Sequence, residues 1–446
     1  GNKWGPNNDG SFYMTYEAAL ENNITAVLFE PQPKYEPKAV AVINISSPVR
    51  NEIGLKLSSG SNYKKLYPDK LEMIYPNYDL NYSFSLKSGA ESFPDNDIVI
   101  DVTELIDGSG FLSLELINDS FSSAYINSFS VEIYDNYDEQ PKKVYNYDLE
   151  QSKEVDYFES ARIKIDQIEE AFATAASNQS YLERYRRNAR SADIKNYKSD
   201  YRVQNSSSIV NRAGLKMPSQ KEYARSLDTG LIRLLNTTDL AAAGSKNSID
   251  HSDSKYFPPV GDQKQENSCV PWNIVYYNLG FYEARNNNWD LSASDYRNVD
   301  QEKLLSPDFI YQLVNDGGNN PTYYTDNLVM LTNVGSPSWS TMYPDDQNQT
   351  EWGSKNAWKE ALKYKADFPL YLITINSYDD IRAIKHLLDE GYLLTFGIDL
   401  FEYHDSNDQL KKLWTTENYN TESSNHANTV VGYDDNYNGN LSDITI

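Results

Sequence analysis

The 446-residue chain contains one cysteine, Cys269, and four histidines. A single cysteine excludes any intrachain disulfide, so stability must come from size and packing. Lysine and arginine total 40 against 65 acidic residues, a formal net charge of -25, and no Lys/Arg-rich run stands out. Nucleic-acid binding needs a basic footprint, so this balance speaks against nucleic acid and against anionic membrane surfaces as partners. No apolar run approaches ~18 residues, so no membrane span is expected.

What is present suits folded domains. Hydrophobic residues make up 39% and aromatics 13%, including 36 tyrosines. That is enough apolar surface for packed cores, and the length predicts two to three domains. The acidic surface favours solubility and cationic peptides or proteins as partners.

Residues 1–23 read as a Gly/Asn-rich loop leading into an aromatic strand at 12–16. From 24 to 137 short apolar runs recur at 25–30, 38–45, 53–57, 98–102, 111–117 and 125–134, separated by Gly, Asn, Asp and Ser. Period-two alternation at this spacing predicts an all-β sandwich. Residues 138–157 read as a polar linker. Phe158, Ala161, Ile165, Ile168, Phe172 and Ala175 then step by three and four, which predicts a packing helix running to about 190. Residues 191–258 are weakly patterned, with a helical piece expected within 223–235. The stretch 138–255 is thus a helical connector or a segment of pro-peptide type. From 256 to 446 the pattern is mixed α and β, with helices after Cys269 and around 306–315 and 378–390, and strands at 392–400 and 429–433.

The informative stretch runs from 258 to 284, PPVGDQKQENSCVPWNIVYYNLGFYEA. A thiol is a poor nucleophile until deprotonated, and a helix N-terminus favours the thiolate. Cys269 stands where Trp272, Val275, Tyr276, Leu279 and Tyr282 begin a helical stripe, and Pro271 is tolerated in a first turn. Gln263 lies six residues earlier, and its amide can donate to developing negative charge without titrating. Of the histidines, His426 in SNHANTVVGYDD precedes an apolar strand, whereas His251, His386 and His404 read as structural.

GDQKQENSC and SNHANTVVGYDD together resemble the active-site segments of papain-like cysteine peptidases, the papain and cathepsin family. Cys269 and His426 are 157 positions apart (426 minus 269), near the roughly 130–150 the family shows. The resemblance covers about 256–446 and implies a helical half and a β-barrel half. It implies Cys269 as nucleophile, His426 as base and Gln263 in the oxyanion hole. It places Gly317 and Gly318 along the substrate cleft, with Trp272 and Ala427 beside it. Glu266 stands where the family usually has a disulfide cysteine, and Val270 where it has tryptophan, which fits a disulfide-free bacterial branch.

The family orients its histidine with an Asn-Ser-Trp-Gly motif, which residues 436–446 lack. Asn2-Lys3-Trp4-Gly5 resembles that motif, so Asn2 is expected to orient His426, with Trp4 beside it. The start and end together suggest a fragment of a tandem array or a circular permutation. In either case residues 1–20 are expected to dock as the missing strand. The resemblance implies a secreted or bacterial cell-surface hydrolase that acts on protein or peptide and needs no cofactor. Asp95, Asp97, Asp101 and Asp107 read as solvated turn residues rather than a Ca2+ site, so no metal is expected. Exposed tyrosines of the sandwich suit stacking on a cell-surface glycan. The rival reading is a catalytically degenerate papain-like adhesion protein.

Overall fold

The computed structural model describes residues 11–446 except 51, 61, 67–70, 76–77, 85–91, 95, 107–109, 169–179, 191–192, 194–213, 316, 345–350, 368, 400–412, 422–423, 438–442 and 446. Its architecture is mixed α/β, with several sheets and more than one packed unit.

The sandwich is built from two antiparallel sheets. One has the order Glu159–Asp166, Phe111–Asn118, Ile53–Ser59, Asn62–Leu66, Leu71–Tyr75, Tyr78–Phe84. The other runs Lys143–Asn146, Ala124–Ile133, Ala39–Ser46, Asp97–Asp101, with Lys153–Val155 also pairing Ala124–Ile133. Alternation decides which face is buried. Leu112, Leu114 and Leu116 are fully buried, and the register sets Leu114 between Leu57 and Ile163.

Two expectations change here. The stretch after 158 is the strand Glu159–Asp166, not a helix. Its Arg162, Lys164 and Asp166 face solvent while Ile163 and Ile165 are buried, a period of two. The three-and-four spacing of Phe158, Ala161 and Ile165 is coincidental, because Phe158 is exposed and Ala161 only half-buried. The remaining positions of that stripe to 179 lie outside the described residues, save Ile168. The polar stretch 138–157 also contributes two edge strands, so pairing in the sandwich extends to Asp166.

Strand Thr25–Leu28 does not join the sandwich. It pairs with Leu370–Thr374 and Leu394–Ile398 in a six-stranded sheet ordered Arg186–Arg187, Ile232–Leu235, Leu370–Thr374, Thr25–Leu28, Leu394–Ile398, His426–Val430. The residues expected to be helical within 223–235 divide between helix Gln220–Asp228 and strand Ile232–Leu235. One face of this sheet packs on helix Tyr378–Asp389 through Ile381, Ile384, Leu387 and Leu388. A second sheet orders Ser248–Asp250, Gly432–Asp434, Asp443–Thr445, Tyr13–Thr15, Leu413–Trp414. Tyr13 pairs with Thr445 and Thr15 with Asp443, so the early segment lies as a strand against the late one. Neither sheet closes into a barrel among the described residues, so the expected β-barrel half is observed as two open sheets.

Candidate active site

The helix that begins at Cys269 comprises Cys269–Pro271, a π-helical stretch Trp272–Leu279, and Gly280–Asn287. Nearly every residue from 269 to 284 is buried, which suits an apolar helix enclosed on all sides. Polar side chains within it fasten it to the sheet. Asn273 Nδ2 donates to the carbonyls of Cys269 and Ala427, both at 2.8 Å, and its Oδ1 accepts from Thr429 Oγ1 at 2.6 Å. Asn278 Nδ2 donates to Thr395 Oγ1 at 3.3 Å. Tyr282 Oη accepts from Leu393 N at 2.9 Å and lies 3.1 Å from the Leu393 carbonyl. The wider π-helical turn brings Asn273 and Asn278, five apart, to the same side.

These contacts place Cys269 against strand His426–Val430. Ala427 N donates to Cys269 Sγ at 3.4 Å, so the residue after His426 touches the thiol. His426 opens that strand, buried, in register with Ile398. Asn425 just before it is fully buried; its side chain donates to Asp399 Oδ1 at 2.7 Å and its N–H to the Ile398 carbonyl at 2.8 Å. The backbone at His426 is therefore held from both sides.

Gln263 is buried, and its amide donates to the Glu266 carbonyl at 2.8 Å within the loop that leads to Cys269. Gly317 adopts φ +70, which favours glycine, and its N–H meets Asn315 Oδ1. The neighbouring Asn319 fastens this glycine loop to the cysteine loop. It accepts from Asn267 N at 2.6 Å and donates to the Gln265 carbonyl at 2.8 Å, while Asn267 Nδ2 donates to the Asn319 carbonyl at 2.8 Å. Hydrogen bonds thus join the two loops in a chain that has no second cysteine. Trp272 is buried in an aromatic cluster with Tyr276 and Trp339. Asn2 and Trp4 lie outside the described residues, as does His404. His386 contacts Tyr181 Oη and the Gly244 carbonyl, and His251 contacts the Leu388 carbonyl, so both are held structurally.

Burial pushes the Cys269 thiol up to about 12, against the lowering effect of N–H groups from Ala427, Gly214 and Val270. Cys269 is 1% exposed, so the sulfur is shielded and burial favours its neutral form.

Among the described residues no group of three or more His, Cys, Asp or Glu gathers to hold an ion. Asp97 pairs with Lys355, and Asp101 with Lys365. Asp95 and Asp107 lie outside the described residues.

Motif spacing does not single out Asn273, Asn278, Asn319 or Asn425 as site-building residues. The usable signal is asparagine inside an otherwise apolar helix, at 273 and 278, since a buried amide needs partners.

Glu283 on the same helix is another buried polar group. Asn287 Nδ2 donates to one of its oxygens at 3.1 Å, and burial raises its carboxyl from 4.5 to about 7. A folded-state value above the unfolded one means full stability below about 4.5, lost progressively as pH rises through about 7. Glu283→Gln should therefore raise unfolding free energy at pH 8 by about 3 kcal/mol and change it little at pH 4. Urea denaturation at both pH values checks this; an equal effect at both would refute it.

No protein-family model matches the chain, and no curated protein matches it. Among solved structures, xylellain, a cysteine protease from Xylella fastidiosa, is similar at a TM-score of 0.31 and 18% identity, over 44% of this chain and 72% of that one. A likeness this slight carries no argument about this chain.

Proposed function

We propose that the chain is a cysteine endopeptidase that hydrolyses peptide bonds through a thiol acyl-enzyme. The observation that carries this reading is the Ala427 N–H on Cys269 Sγ, which sets the only cysteine beside the strand that begins with His426. In this mechanism the His426 imidazole takes the thiol proton, and the sulfur attacks the peptide carbonyl carbon. The oxyanion is held by Cys269 N–H and the Gln263 amide. The imidazolium then protonates the leaving amine, and water, deprotonated by the same imidazole, releases the acid and restores the thiol. No cofactor enters these steps. Gly317 and Gly318 would line the cleft with Ala427, and Asn2 and Trp4 would support His426. A secreted or bacterial cell-surface location follows from the resemblance.

The test is covalent. An epoxide-type thiol inhibitor should add its mass at Cys269 under native conditions, and His426→Asn should slow that addition. Stoichiometric labelling that ignores the His426 substitution would overturn the assignment of the base.

One observation favours the second reading, a degenerate papain-like adhesion protein: the thiol is shielded and its titration raised. In that reading Phe121, Tyr157 and Phe158, exposed together at one end of the sandwich, would stack on a cell-surface glycan. A chain that binds glycan and never labels at Cys269, even after its cleft is opened, would be the adhesion protein.

A further inference from the structure

The group that covers Cys269 is a piece of the chain itself. Leu215 N donates to the Asn425 carbonyl at 3.0 Å, beside His426. Lys216 N donates to the Thr322 carbonyl, and Thr322 N to the Gly214 carbonyl, both at 2.9 Å, so Leu215 and Thr322 form an isolated parallel β-bridge. The Leu215 side chain is fully buried against Gly397, where a Cβ would stand 2.9 Å from its Cδ2. Gly214 sits so close to the cysteine loop that a Cβ there would lie 2.2 Å from the Asn267 carbonyl oxygen and 3.0 Å from Cys269 N. Its N–H is among the groups that lower the titration of the thiol against the effect of burial.

We propose that residues 214–218 form a tethered latch that occupies the cleft between Cys269 and Asn425 and must swing out before substrate enters. The latch does not end in a loose tail. It continues into helix Gln220–Asp228 and strand Ile232–Leu235, and that strand is hydrogen-bonded to Leu370–Thr374 within the sheet that carries His426. A chain cut anywhere before Gly214 would therefore keep the latch attached, which makes closure reversible rather than a segment lost once. Met217 and Pro218 also wall a cavity of about 320 Å3 whose floor includes Val27, Leu234 and Leu372. Swinging out exposes that apolar floor beside Gly397, a place for a substrate side chain. The latch has regulatory meaning only under the peptidase reading, but its covering of the thiol stands independently.

The test reads thiol accessibility, not catalysis. Iodoacetamide should modify native Cys269 slowly. Gly214→Ala, whose methyl the closed position cannot hold, and Leu215→Asp, which loses the apolar anchor, should each speed modification by about tenfold or more, the factor for losing about one backbone hydrogen bond. Circular dichroism must show both variants folded. Should either variant fail to fold, the wild-type chain decides. In low urea, Leu215 and Lys216 amides should exchange in step with Cys269 alkylation. Alkylation that proceeds while those amides stay protected, or folded variants that label no faster, would overturn the latch. Faster labelling without casein hydrolysis would instead sink the peptidase reading and leave the latch standing.

Discussion

Replacing His426 with asparagine should lower kcat for peptide hydrolysis by about a hundred- to ten-thousandfold, the range that one positioned acid–base group supplies. Under the proposed mechanism the thiol needs that partner. Burial holds Cys269 up to about 12, and opening the cleft removes desolvation without supplying a proton acceptor. His426 is the histidine whose strand reaches the sulfur, through Ala427 N. His251 and His386 are tied to carbonyls elsewhere, so His251→Ala and His386→Ala should leave kcat within about threefold, as expected of residues outside the reacting atoms. The asparagine side chain stays polar and of similar reach, so the melting temperature should move little. The comparison should be made in the wild-type chain and in Gly214→Ala, where the latch no longer limits entry. Equal rates with and without the His426→Asn substitution in the opened background would remove His426 from the mechanism.

The parts of this site legible in the sequence were those written as local chemistry. A thiol followed by a helical stripe and a histidine before an apolar strand both describe one element each, and both elements form: Cys269–Pro271 starts its helix and His426–Val430 its strand. Helices Pro307–Val314 and Tyr378–Asp389 fall within a residue or so of the expected 306–315 and 378–390. Pairing was not legible. Nothing local to Thr25–Leu28 says that it joins strands some 350 residues later rather than the sandwich next to it (371 minus 28 is 343). The helix expected at 158 failed because apolar residues can step by three and four by chance, as Phe158, Ala161 and Ile165 do, while ARIKID alternates strictly. The latch was invisible for a related reason. Gly214 and Leu215 have no periodicity, and their role exists only once Thr322 and Asn425 are brought beside them.

Asp101→Ala should cost about 3–5 kcal/mol, the penalty for leaving a buried cation without its counter-ion. Asp101 and Lys365 are both buried, 3.4 Å apart. Asp101 also accepts from Thr103 Oγ1 at 2.8 Å, from Thr103 N at 3.0 Å and from Tyr35 Oη, and the ammonium of Lys365 lies over the Tyr35 ring at 4.2 Å. The position matters as much as the pair. Asp101 ends a sandwich strand, whereas Lys365–Ala366 pairs with Pro31–Gln32. That short ladder lies where the chain passes from the six-stranded sheet into the sandwich, so the ion pair is a joint between the two units. Further pairs, Lys359 with Glu132 and Lys355 with Asp97, lie along the same boundary, but they are partly exposed and weaker. Removing Asp101 alone should therefore lower the urea midpoint sharply. Removing both ions in Asp101→Ala/Lys365→Met should restore most of it, because no buried charge is then left unpaired. A double variant as unstable as the single one would show that hydrogen bonds to Tyr35 and Thr103, and not the charge of Lys365, account for the loss.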